Sequence, residues 1–132
     1  MKTLNKIIPF LLCVVFFASC EKDYLSTADT SAPIDTSKPI SFNESIQPLF
    51  TSNCLGSGCH ITGGITPNLE VGKAYDQLTG LGYVDATDTL PGNSKLYSRV
   101  IGTTKPMPPI GKLSAGKIKA IELWIQQGSQ NN

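Results

Sequence analysis

Hydrophobic positions fall into two regimes along this chain. Ile7 to Phe17 is one apolar run, broken only by Pro9. Beyond residue 40 the apolar positions become periodic. Ile46, Leu49 and Phe50 recur at helical spacing. They follow Ser41-Phe42-Asn43-Glu44, which fits a capping box with Ser41 as N-cap and Glu44 at N3. A helix is expected over about 42–52, with Pro48 kinking it or starting a second short helix. Another short helix is expected near Ala74–Leu78, closed by Gly80. Pro91-Gly92-Asn93-Ser94 is a turn that can cap a helix from about Lys95 to Ile101. Ser114 is a good N-cap for a last helix striped by Ile118, Ile121, Leu123, Trp124 and Ile125, with Gly128 as its C′ residue. Leu81 to Leu90 reads as a polar loop. Lys105-Pro106-Met107-Pro108-Pro109 must be extended, because three prolines fit neither a helix nor a central strand. No convincing strand and no internal repeat is present.

The apolar run near the start is a targeting signal rather than part of the fold. Lys2 and Lys6 precede it, and Ala18 and Ser19 lead from it into Cys20. That order of charge, apolar stretch and small residues is the grammar of a secretory signal. The run is also short of the roughly 20 residues needed to cross a bilayer. Phe17-Ala18-Ser19-Cys20 resembles a lipoprotein box, which implies cleavage after residue 19 and acylation of Cys20. Several acyl chains, at about 0.8 kcal/mol per buried CH2, make a stable anchor. The competing reading is an uncleaved N-terminal helix with an incidental Cys. Residues 20–39 then form a tether. They are charged at first, and Ser26 to Pro39 is rich in Ser, Thr, Asp and Pro, a composition that buries too little apolar surface to fold. The domain proper is expected over 40–132, a length suited to one core.

Charge and cysteine count narrow the chemistry. Cleavage before Cys20 removes Lys2 and Lys6, taking the 11 basic residues to 9 against 10 acidic ones, a formal charge of −1. No basic stripe exists, so nucleic acid is not an expected partner. Of the four Cys, Cys13 leaves with the signal and Cys20 takes the lipid. Cys54 and Cys59 remain, in Cys54-Leu55-Gly56-Ser57-Gly58-Cys59-His60. His60 is the sole His of the chain and directly follows the second Cys. A Cys…Cys-His run is the attachment signature of c-type haem. Two thiols add to the two vinyl groups, and the adjacent His is thereby held under the iron. The usual spacing is two residues and here it is four, so the turn must loop out, for which Gly56-Ser57-Gly58 is suited. Three readings compete. One is a Cys54–Cys59 disulfide with a bystander His, in keeping with an exported chain. A zinc site would be short of ligands with two Cys and one His. A catalytic Cys–His pair would be exposed to oxidation.

Met107 is the only Met besides Met1. It lies in the proline-rich loop rather than on a periodic helix position, where a gap-filling core Met would sit. Met/His is the axial pair of cytochromes c. From about Ser41 to Gly128 the chain resembles a single-haem class I cytochrome c domain, of the kind found in exported lipoproteins and fused to larger oxidoreductases. Ile46-Gln47-Pro48-Leu49-Phe50, the Cys54 to His60 run, Gly63-Gly64, Pro91 to Tyr97, Lys105 to Pro109, and Leu123-Trp124-Ile125 before Gly128 carry the likeness, in that order.

The resemblance implies an all-α fold of three to five helices around one covalent haem c. It implies attachment through Cys54 and Cys59, with His60 and Met107 as axial ligands. The first and last helices should cross near the haem edge, with Leu49 or Phe50 meeting Trp124. Leu96, Tyr97 and Ile101 should line the pocket, and Arg99 and Lys105 are candidates to face the propionates. The implied function is electron transfer at the cell envelope, without catalysis, between redox partner proteins and from a lipid anchor on the membrane. Two rivals remain: a haem-free lipoprotein binding module closed by a Cys54–Cys59 disulfide, and a haem sensor or peroxidase-like domain with an open distal site.

Overall fold

The computed structural model describes residues 37–132. The expected signal over 1–19, the candidate lipid site Cys20 and the expected tether up to residue 36 lie outside the described residues. The regular elements are all helical, and no strand occurs among the described residues. A π-helical turn, Phe42–Ile46, runs into α1, Gln47–Asn53. Then come α2, Ala74–Gly80, a 3-10 turn over Pro91–Asn93, α3, Lys95–Ile101, and α4, Ala115–Gln126. The fold is therefore all-α, as expected. No described helix is long and apolar enough to cross a membrane.

Local signals account for most of the boundaries. Ser41, Ser94 and Ser114 are N-caps whose hydroxyls accept from the amides of Glu44, Tyr97 and Lys117, at 3.2, 3.2 and 3.4 Å. Each satisfies a helix-end donor that would otherwise be orphaned. Gly128 has φ +86 and ends α4, where a side chain would be strained. Pro48 does not kink a continuous helix. It sits in the first turn of α1, where its missing N–H leaves no intrahelical bond unmade. The π-helical turn ahead of it was not foreseen.

The two ends of the domain are sewn together. The backbone oxygen of Asn132 accepts from the Asn43 amide at 2.9 Å and from Ser41 Oγ at 2.8 Å. The Asn132 side chain accepts from the Phe42 amide at 2.8 Å. Gln127 Oε1 accepts from the Ile40 amide at 2.6 Å. These contacts set α4 against the first turn. Phe42, Tyr75 and Trp124 form an aromatic cluster there, with the Phe42 ring 5.4 Å from both Tyr75 and Trp124. Leu49, Phe50 and Trp124 share one buried core cluster, and the ring stacked nearest Trp124 is that of Phe42. Phe50 joins the cluster edge-on to Phe42, at 6.3 Å. Trp124 Nε1 donates to the Gln130 carbonyl at 2.9 Å, so its one polar atom is satisfied in full burial. Ile46, Leu78, Ile121 and Ile125 complete the innermost core. Each such side chain contributes about 1.5–3 kcal/mol on leaving water.

Candidate functional site

The end of α1 and the turn that follows place the three polar candidates. The Cys54 amide still donates to the Phe50 carbonyl, at 2.8 Å, so this residue is held by the helix. The chain then loops through Gly56, Ser57 and Gly58, the last at φ +72. The Cys59 amide donates to Gly56 O at 2.8 Å, and the His60 amide returns to Cys54 O at 3.2 Å. Gly64 packs on this turn so closely that a β-carbon would fall 2.0 Å from the Cys59 carbonyl oxygen. Only glycine fits there. Cys54 and Cys59 are both free thiols, each partly buried.

His60 is oriented from the next loop. Its Nδ1 lies 2.8 Å from the Pro67 carbonyl oxygen. A carbonyl can only accept, so Nδ1 carries the hydrogen and Nε2 keeps the free lone pair. The loop is in turn tied back to the site. The Leu69 amide donates to the His60 carbonyl at 2.8 Å, and buried Gln47 Nε2 donates to the Leu69 carbonyl at 3.0 Å. On its outer side Glu70 Oε2 accepts from Thr62 Oγ1, Asn68 Nδ2 and Lys73 Nζ, at 2.6, 3.1 and 2.8 Å. These bonds, the one from Lys73 first, hold the Glu70 carboxyl down at about 2.

Met107 comes from a separate segment of the chain. Its amide donates to the Arg99 carbonyl at 2.9 Å, which hangs the proline-rich loop from the end of α3. Arg99 Nη1 donates to the Lys105 carbonyl at 3.4 Å, bracing a residue at φ +53, which is uncommon for a side chain with a β-carbon.

These segments meet at a cavity of ≈ 480 Å³ that opens partly to solvent. Cys54, His60 and Met107 all reach its wall. The rest is nearly all apolar and comes from every helix: Leu49 and Phe50 of α1, Leu78 of α2, Leu96 and Val100 of α3, Ile121 of α4. Burial, with the adjacent Cys59 second, pushes the Cys54 thiol up to about 11. At neutral pH it is therefore protonated, and it is a poor nucleophile until deprotonated.

The other candidates divide. Leu96 and Arg99 line the cavity; Cys59, Tyr97, Ile101, Lys105 and Trp124 do not. Cys59 Sγ instead turns toward the Ser57 carbonyl, at 3.8 Å. Tyr97 points along α4, its hydroxyl 3.4 Å from Glu122 Oε2, and burial followed by that carboxylate raises its pKa. Ile101 is 45% exposed, because Leu96 and Val100, four apart, already occupy the inner face of α3. Lys105 contributes its carbonyl rather than its ammonium, and Trp124 belongs to the aromatic cluster. Pro67, Leu69, Tyr83 and Leu113 line the cavity and were not anticipated. Among the described residues no three His, Cys, Asp or Glu side chains come together as metal ligands, so Cys54, Cys59 and His60 do not form a zinc cluster. No protein-family model matches the chain, and comparison with curated proteins and with solved structures finds no match either.

Proposed function

We propose that this domain holds one covalent haem c in the apolar cavity and carries single electrons at the cell envelope, from a lipid anchor at Cys20. The observation that carries the reading is the state of His60. With Nδ1–H donated to the Pro67 carbonyl, Nε2 of the neutral ring is free to take a metal, and His60 lines the apolar cavity. Metal-bound imidazoles are typically oriented by such a bond from their other nitrogen. Met107, the only other soft ligand besides the two thiols beyond residue 20, reaches the same cavity from a separate segment.

Cys54, His60 and Met107 fit the group, since all three line the cavity, and Cys59 would have to turn its Sγ from the Ser57 carbonyl to take part. Cys54 and Cys59 would attach it, His60 and Met107 would ligate its iron, and the apolar walls would cover the ring. When bound, the haem supplies one reversible electron, at a potential set by its axial ligands and its burial. The protein's part is to orient His60 through Pro67, to deliver Met107 on a loop stiffened by three prolines, and to exclude water. With both axial positions filled no place is left for a substrate, so the proposal is an electron carrier and not an enzyme.

The test is expression in a host that attaches haem to exported proteins. The purified protein should gain the mass of one haem and give a c-type reduced-minus-oxidised spectrum. Cys54→Ala and Cys59→Ala should each weaken retention under denaturation, and the double variant should abolish it. A colourless wild-type protein from such a host, with polypeptide mass alone or with a Cys54–Cys59 disulfide, overturns the reading in favour of a haem-free binding module.

A further inference from the structure

A second recess of ≈ 580 Å³ opens beside the cavity, lined by Leu81, Tyr83, Asn93, Lys95, Ser98 and Arg99. Tyr83 and Arg99 belong to the walls of both spaces, so the two adjoin there. Their characters are opposite. The cavity is apolar, whereas the recess carries two cations and no carboxylate.

The helical period explains the contrast. Lys95, Ser98 and Arg99 stand at i, i+3 and i+4 on α3 and share one face, while Leu96 and Val100, one step round, turn into the cavity. One short helix thus supplies an apolar wall and a basic edge. Two acids of the neighbouring loop, Asp85 and Asp88, are engaged elsewhere. Asp85 accepts from Thr87, and Asp88 from Leu90 and Asn93. Neither Lys95 nor Arg99 forms an ion pair with a carboxylate of the described residues.

We propose that Lys95 and Arg99, across the recess and next to Tyr83, take the two propionate carboxylates of the haem. This assignment rests on the reading of the cavity as a haem site. A tetrapyrrole with two anionic side chains is amphiphilic, and burying a carboxylate without a partner is costly. The apolar-to-basic gradient therefore gives the ring one favourable way round, with its charged edge toward α3. Lys95 replaces Lys105 as the second cation, since the Lys105 ammonium lines neither space. Exposed ion pairs hold little free energy. The expected consequence is therefore orientation and a raised reduction potential rather than tight binding.

The experiment uses the haem-loaded protein. Lys95→Met and Arg99→Gln are made singly and together, with Lys112→Met and Lys119→Met as charge-matched controls outside the recess. Haem content by mass comes first, then the midpoint potential and the propionate bending band in resonance Raman spectra. The double variant should shift that band. At a fixed applied potential its ratio of reduced to oxidised protein should fall several-fold, and the controls should move neither reading. Arg99 also braces the Met107 loop, so Arg99→Gln is read only if the iron–sulfur band persists. Lys95→Met, whose side chain forms no hydrogen bond among the described residues, must give a shift of the same sign alone. A haem-loaded double variant indistinguishable from the controls overturns this assignment and leaves the haem reading standing. A wild-type protein without haem overturns both.

Discussion

Replacing Val100 by Phe drives a ring into the cavity that the proposed function assigns to haem, and the two forms of the protein should respond with opposite signs. Val100 is 5% exposed, sits in the second turn of α3 and lines the cavity. The new side chain is larger by roughly 50 Å³, which at about 24 cal/mol per Å³ of cavity filled is worth about 1.2 kcal/mol. Helix propensity differs little between the two residues. For a domain of this size about 1 kcal/mol moves the melting temperature by about 4–8 °C, so the haem-free protein should gain roughly 5–10 °C. The same ring intrudes on the space that the haem would occupy, so covalent haem incorporation should fall in a host that attaches it. Melting is followed by circular dichroism on the Cys54→Ala/Cys59→Ala background, and incorporation by intact mass on the natural cysteines. Val71→Phe, at a position 72% exposed, is the control and should change neither. Two results refute the reasoning. A haem-free variant destabilised by about 1–3 kcal/mol would show overpacking, and hence no usable space. Full haem incorporation with an unaltered spectrum would show that the haem sits elsewhere.

Met107→Ala should lower the reduction potential, because thioether favours the reduced iron. It should abolish the near-infrared sulfur-to-iron band and admit carbon monoxide to the reduced protein. A wild type that already lacks the band and binds carbon monoxide would point to a sensor or peroxidase-like site instead. Trp124→Ala should cost about 3–5 kcal/mol in urea unfolding, whereas Trp124→Phe, which loses chiefly the bond to the Gln130 carbonyl, should cost about 1 kcal/mol. A loss below about 1 kcal/mol for the alanine variant would contradict the aromatic cluster as a stabilising element. The Glu70 carboxyl is lowered from its ordinary 4.5 to about 2, so its bonds to Thr62, Asn68 and Lys73 stabilise the fold fully above 4.5 and are lost as pH falls through 2. The stability gap between wild type and Glu70→Gln should therefore close as pH is taken from 6 to 2, and a gap independent of pH would sink the assignment.

What the sequence determined by itself is what depends on atoms within about four residues of one another. Ser41, Ser94 and Ser114 announce helix starts because a hydroxyl caps an amide two or three positions on. Gly128 announces an end because it alone enters the left-handed region without cost. Three prolines keep residues 105–109 out of any helix. The candidate ligands were legible as side-chain chemistry, since His60 is the only imidazole and Met107 the only thioether beyond Met1. The tertiary structure decided which of these groups meet, through contacts between segments 7 to 90 residues apart. The acceptor that orients His60 is a backbone carbonyl, which every residue possesses and no side-chain pattern reveals. The inner face of α3 is set by packing, because seven residues make only two turns and Ile101 is as apolar as Val100. Phe42 stacks near Trp124 where Asn132 and Gln127 hold the end of the described residues against the first turn. Periodicity along a single helix carries no record of such a closure between elements. The cavity is likewise a property of four helices packed together, and no one of them encodes it.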